Sequence, residues 1–385
     1  MLAYAAVVAF SETAFYGALG PLLTDLSDGH ALTTLEAGMM TAAYPAGLVV
    51  AAVPAGAAAA RWGSRRTASI GLWCMAIASA SFALGSGLGV LALARLIQGA
   101  GACAAWGGVL SWLTVATPAG RRGETMGGTY SASFTGMLLG PLLGALAASA
   151  GRSAVFLPAA VGLAMIAAWG GPVPLGAARG ATAHGPTPIR SAPAVRRALS
   201  ATAVLGLATG GLNALAPLIL ADRGVPPIGT AAAFLVAAAP QIVLGPRVGR
   251  LIDRRGTSRF IAACFVVAAG FFAVMAWPRD PWLVGALVSG GALATFVILG
   301  PISLSVAQAA DREGFGQGLA MALSTAAWGL GAAVGAVALT ALAQATSPGA
   351  ALTACAAACV LTAAAIMRHV GASRTRRSRA GDLSS

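Results

Sequence analysis

The stretch GRLIDRRGTSR (residues 249–259) stands in a chain that is otherwise almost without charge. It has an earlier counterpart, GAAAARWGSRR (56–66), in which Gly, Arg, Gly and Arg recur at matching offsets. The copies lie 193 residues apart in a chain of 385, which is half its length. Such spacing suggests that the chain is written twice. What surrounds the two elevens says what kind of unit is repeated.

Hydrophobic residues make up 58% of the chain and charged residues 9%, with a mean hydropathy of +0.81. A soluble domain carries about 25% charged residues. Residues 37–60 hold no charge at all, and about 20 apolar residues in a helix cross a bilayer core. The expectation is an all-α integral membrane protein. The net charge of +13 raises nucleic acid as a partner, but the arginines gather in short clusters between apolar runs and form no soluble basic face. The five cysteines all fall inside apolar runs; Cys355 and Cys359 share a helical face, but no His or carboxylate joins them as metal ligands. Residues 2–10 open directly into an apolar run, which reads as a first membrane helix and not a cleaved signal.

Twelve spans are expected, near 2–24, 34–60, 67–86, 89–115, 126–150, 153–175, 198–221, 226–248, 258–277, 281–308, 316–343 and 347–369. They give an N-terminal six-helix bundle (1–175), a Gly/Pro/Arg-rich cytoplasmic linker (176–197), a C-terminal six-helix bundle (198–369) and a cytoplasmic tail (370–385). With the N-terminus inside, twenty arginines fall in inward loops and the tail. Only Arg152, Arg223 and Arg279 fall outward. Cytoplasmic loops are the basic ones, so both termini are expected in the cytoplasm, in a cell inner (plasma) membrane. The repeat extends beyond the elevens. Residues 21–23 (PLL) precede the first by 35 positions and 217–219 (PLI) precede the second by 32, while Gly331 and Gly335 fall 191 residues after Gly140 and Gly144. Parallel repeats of this kind point to a transporter.

With these motifs in place the sequence resembles the major facilitator superfamily over essentially its whole length. The family's loop signature, Gly-x-x-x-Asp-Arg-x-Gly-x-Arg-Arg, is matched by Gly249, Asp253, Arg254, Gly256 and Arg259. The first copy keeps Gly56, Arg61, Gly63, Arg65 and Arg66 but has Ala60 where the signature has Asp. RLIQGAG (95–101) is similar to the family's fourth-helix element. GMLLGPLLGA (136–145), with Gly136, Gly140, Pro141 and Gly144, is similar to a fifth-helix element associated with proton-driven exporters, its last Gly replaced by Ala145. The resemblance implies a twelve-helix secondary transporter, of the drug/proton antiporter type, working on small organic compounds without a cofactor. Simple helix packing is the plainer role for the glycine run, which also packs helices closely elsewhere. Loss of the acid at Ala60 puts the first-half latch in question, with Glu124 an alternative partner.

Of eleven acidic residues, Glu12 is the one placed well inside an expected span. A carboxylate at that depth is costly and faces a cavity or a partner, and it is a candidate proton carrier. Tyr16, one turn on, lies on the same face and is expected to hydrogen-bond it. Arg95 is the one arginine placed well inside an expected span, away from its ends, and pairing with Glu12 would give both a partner. The plainer roles are an internal polar contact for Glu12 and a helix-end or water contact for Arg95. Cavity candidates are Tyr44, Gln98, Trp106, Asn213, Gln308 and Trp328, a set suited to amphipathic or cationic organic substrates. Uptake symport and sugar export stay open, and export rests on the fifth-helix element. A membrane enzyme would need clustered nucleophiles, acids or ligands at depth, a sensor would need an appended domain, and no phosphate-binding loop is present for ATP. A monomer in the lipid bilayer is sufficient for every motif.

Overall fold

The computed structural model describes residues 2–18, 34–169, 189–275 and 277–382. Among them are twelve α-helices: α1 (Leu2–Gly17), α2 (Thr34–Trp62), α3 (Ser64–Leu84), α4 (Leu88–Ala116), α5 (Arg122–Ala150), α6 (Arg152–Trp169), α7 (Pro193–Ala221), α8 (Pro227–Arg255), α9 (Thr257–Met275), α10 (Pro281–Glu313), α11 (Gln317–Ala345) and α12 (Pro348–Asp382). Two short 3₁₀ turns, Ala119–Arg121 and Ile189–Ser191, precede α5 and α7. Ten of the helices, among the described residues, are long and apolar enough to cross a membrane. An apolar helix satisfies every backbone group internally, which a bilayer demands.

The elevens differ from the loops expected of them. Most of each is helix: α2 runs on to Trp62 and α8 to Arg255. Arginine is a good helix former, and at a helix C-terminus it meets the negative end of the dipole. The chain reverses on one residue in each copy, Gly63 at φ 86° and Gly256 at φ 88°. That backbone region is essentially glycine's alone, so the two spaced glycines of the elevens are where the turns must fall. The seventh helix also starts earlier than expected. Arg196 and Arg197 belong to α7, which begins with Pro193 at its first turn, a position that proline favours. Residues 176–188 of the expected linker and residues 19–24 of the first expected span lie outside the described residues. The helix continues in backbone through Asp382, while the apolar span of α12 ends at His369.

The packing repeats with the sequence. In the first six helices α1 lies on α5, α2 and α3 on α4, and α3 on α6. In the last six α7 lies on α11, α8 and α9 on α10, and α9 on α12. The second set is the first displaced by six helices. Contacts also cross between the sets, chiefly α5 on α8 and α2 on α11, with α4 on α11 and α5 on α10 beside them. Each of these pairs exchanges with the other of its kind under that displacement. Buried apolar side chains accordingly form two clusters. One is centred on Tyr44, Leu72, Met75 and Leu113, the other on Leu205, Phe265, Phe272 and Ile298.

Between helices in lipid there is little hydrophobic drive, so small residues and close packing carry the association. The fifth-helix run does this within the first set. A Cβ on Gly140 would stand 2.7 Å from the Ala14 carbonyl oxygen, and Gly136 and Gly144 lie against the carbonyls of Phe10 and Ala18. Gly331 and Gly335 of α11 lie in the same way on the carbonyls of Ala203 and Leu207 in α7. The side chain of Pro141, where a kink is expected, lies outside the described residues.

Candidate functional site

Glu12 sits ten residues along α1 from Leu2, about 15 Å of helix rise, against a bilayer core about 30 Å thick. It is half-buried. Its carboxylate accepts a hydrogen bond from the hydroxyl of Tyr44 on α2. The ring of Tyr44, only 1% exposed, in turn lies under the guanidinium of Arg95 on α4, with Cζ 5.1 Å from the ring centroid. Arg95 is 4% exposed; its Nη1 donates to Gln98 Oε1 at 2.6 Å and to the Phe15 carbonyl at 3.4 Å, and its Nε has no protein partner. Glu12 and Arg95 do not form an ion pair. The direct contact expected between them is replaced by a chain of three, with Tyr44 in the middle. Arg95 does reach α1, at the Phe15 carbonyl, but the Tyr44 ring reaching in from α2 takes both its guanidinium and the Glu12 carboxylate. Tyr16 makes a different contact from the one expected. Its ring packs on that of Tyr44 at 5.1 Å and the side chain is exposed.

A second constellation closes the end of the molecule that carries the basic clusters. Asp253, the acid of the second eleven, accepts from the backbone N–H of Gly123 at 2.9 Å and of Glu124 at 3.1 Å. It therefore caps the N-terminus of α5 with a negative charge, where the helix dipole favours one. Glu124 stands 3.5 Å from Arg121 and 3.8 Å from Arg250, and Arg122 reaches Asp311 at 2.6 Å. Gly249 and Gly123 bring the two backbones into contact just inside this network. The first eleven offers nothing equivalent. Gly56 lies against Leu319 and Ala59 against Gly318, but α11 starts after Gly316 with no side-chain cap. Ala60 has no oxygen to offer it. Arg61, Arg66, Arg254, Arg255 and Arg259 are exposed, and Arg65 is partly covered.

Deeper along the same seam lies a cluster of which the sequence singled out only Trp106. Tyr130 of α5 and Ser303 of α10 share a hydrogen bond of 2.6 Å, Trp106 packs edge-on against Tyr130 at 5.2 Å, and Phe134 meets Phe296 at 5.0 Å. Ser131 donates to the Gln241 carbonyl at 3.0 Å. The amide nitrogen of Gln241, 2% exposed, lines a narrow cleft with Phe134, Phe296 and Pro301 and has no protein partner. Scarcity was the available signal: the chain has four tyrosines, and three of them, Tyr16, Tyr44 and Tyr130, stand in these two constellations.

The remaining cavity candidates scatter. Gln98 belongs to the Arg95 cluster. Trp106 shares a helix face with Arg95 but lies about 16 Å further along α4, at the Tyr130 seam. Asn213 is exposed on α7. Gln308 accepts from Thr257 at 3.5 Å, near the turn into α9. Trp328 is half-buried with its indole N–H unpartnered.

Comparisons agree with this architecture. No curated protein sequence matches the chain. Among solved structures, the human organic anion transporter MFSD10 (TETRAN) superposes with a TM-score of 0.78 at 16% identity, covering 95% of this chain and 98% of its own. The proton:xylose symporter XylE superposes with a TM-score of 0.74 at 12% identity, covering 95% of each. The E. coli fucose:proton symporter FucP superposes with a TM-score of 0.73 at 15% identity, covering 95% and 98%. These likenesses are of fold. The sequence pattern of the Major Facilitator Superfamily matches residues 5–319 and, a second time, residues 198–383. By that match and by its twelve helices, the chain belongs to the Major Facilitator Superfamily of multi-pass membrane transporters.

Proposed function

We propose that this secondary transporter is a proton-coupled exporter of small organic compounds, with Glu12 as the group that exchanges a proton against substrate. The observation that carries the reading is the half-buried Glu12 carboxylate, ten residues along the apolar helix α1, held by Tyr44 and linked through its ring to Arg95. A carboxylate at such depth costs several kcal/mol unless it is neutralised or serves a pathway. The fifth-helix glycine run favours export among the family's modes. The unit works as two six-helix halves, residues 1–175 and 198–369, joined by a cytoplasmic linker, with both termini in the cytoplasm of a cell inner membrane. It acts as a monomer. Contact of α5 with α8 and of α2 with α11 at the basic end supports an outward-facing state. Substrate and proton then reach the Glu12 site alternately from the two sides.

The test is proton release on ligand addition, in detergent-solubilised protein, with tetraphenylphosphonium, ethidium and neutral aromatic drugs. Release from wild type that disappears in Glu12→Gln is the expected result. A ligand that binds both proteins equally with no release would overturn the exchange reading. Accumulation driven inward by an inward proton gradient in proteoliposomes would replace export by uptake symport.

A further inference from the structure

Glu12 and Arg95 are the acid and base of the membrane interior, yet they do not touch. One side chain touches both. We propose that Tyr44 is the positioning residue of the proton site, holding the Glu12 carboxyl through its hydroxyl while its ring face carries the Arg95 guanidinium. The inference rests on the reading of Glu12 as the proton carrier.

The backbone around Tyr44 leaves it little freedom. Gly99 of α4 lies directly on the Tyr44 carbonyl, and Gly47, one turn on, lies on Leu96 and Ala100. α2 and α4 are thus packed backbone to backbone at this level, and the Tyr44 side chain, 1% exposed, is enclosed there. A phenol hydroxyl both donates and accepts. It donates to Glu12 when the carboxylate is charged and accepts from it when the carboxyl is protonated. Tyr44 therefore keeps the carboxyl in one place as the proton comes and goes. Its ring meanwhile holds a desolvated guanidinium that has no carboxylate of its own. The titratable and charged groups facing Glu12 among the described residues are Tyr16 on α1, Tyr44 on α2, Arg95 on α4 and Tyr130 on α5. Tyr130 is engaged by Ser303, and Tyr16 makes only a ring contact. Tyr44 alone has its hydroxyl on the acid.

The test is infrared difference spectroscopy of the full chain in lipid bilayers, titrated with pH and without any ligand. The carboxyl band lost in Glu12→Gln assigns the signal. Tyr44→Phe, which keeps the ring for Arg95, is expected to move the band and to shift its midpoint by roughly half a pH unit to one, since a hydrogen bond to the charged carboxylate exceeds one to the neutral carboxyl by about 1 kcal/mol and one unit corresponds to about 1.4 kcal/mol. Tyr16→Phe is expected to leave band and midpoint where they are in wild type. If Tyr44→Phe does not fold, 3-fluorotyrosine at position 44 keeps the shape, strengthens the donor and is expected to displace the midpoint too. A midpoint in Tyr44→Phe or the fluorotyrosine protein that coincides with wild type overturns the positioning role. Absence of any band lost in Glu12→Gln overturns the Glu12 reading instead.

Discussion

At the scale of single residues, the two elevens differ at one position that matters, Asp253 against Ala60. Asp253 closes two backbone N–H groups at the start of α5, groups that a helix cannot satisfy by itself. A capping side chain is worth about 1 kcal/mol, and a charge at a helix N-terminus adds about 0.3–1 kcal/mol. If α8 and α5 separate in the proposed opening of the basic end, that energy belongs to the closed state only. Asp253→Ala is therefore expected to shift the closed-to-open ratio by about fivefold or more toward open. Spin labels at the exposed positions Gly120 and Arg254 would report it as a gain in the longer distance. Ala60→Asp is expected to move the ratio the other way by a similar factor, since it places a carboxylate at the matching position beside the uncapped start of α11. An unchanged distance distribution in both variants would mean that the latch is carried elsewhere, by the Arg122–Asp311 pair for instance.

At the scale of helices, the same glycine spacing serves two kinds of contact. On α5 the run Gly136, Gly140 and Gly144 faces α1 within one set of six, whereas Gly123 and Gly127, nearer the start of α5, face α8 across the sets. In the proposed alternating-access cycle the first contact persists and the second breaks. Gly140→Leu is expected to destabilise the whole protein by several kcal/mol, because the added side chain meets the Ala14 carbonyl and Gly17 and neither backbone can retreat. It would be read as loss of the monodisperse peak on detergent extraction. Gly127→Ala, against the Gly245 carbonyl, is expected to leave the protein folded but bias it toward an open basic end, because the α5–α8 contact is the one that the proposed cycle gives up. A Gly127→Ala protein that fails to fold would place that seam among the permanent contacts.

At the scale of the whole molecule, helix number and order were legible in the apolar runs, and the half-length repeat was legible in the elevens. Helix ends were less so, because arginines read as loop residues although they form helix well, as in residues 249–255. The site was legible by its costliest members, Glu12 and Arg95. Tyr16, Tyr44 and Gln98 also stand out in the sequence, but Tyr44 as a cavity residue and not as the link between acid and guanidinium. Tyr44 joins Glu12 from 32 positions away, and Tyr130 meets Ser303 across 173; apolar periodicity carries no record of which helix faces meet. The same long-range packing offers a native probe of the motion. Cys103, in the middle of α4, is fully buried, with its thiol 3.7 Å from the Ala322 carbonyl on α11 and Gly107 against the same residue. Part of its burial comes from this contact between the two sets of six helices, which the proposed opening of the basic end would break, whereas Cys355 and Cys359 are buried between α12 and its neighbours within one set. In everted membrane vesicles, a membrane-impermeant maleimide is expected to label Cys103 slowly in wild type and at least about fivefold faster in Asp253→Ala, the factor set by the capping energy. Cys355 and Cys359 are expected to stay unlabelled in both. Equal rates at Cys103 in the two proteins would mean that α4 and α11 stay together through the cycle, and that the two halves do not part as rigid bodies along this seam.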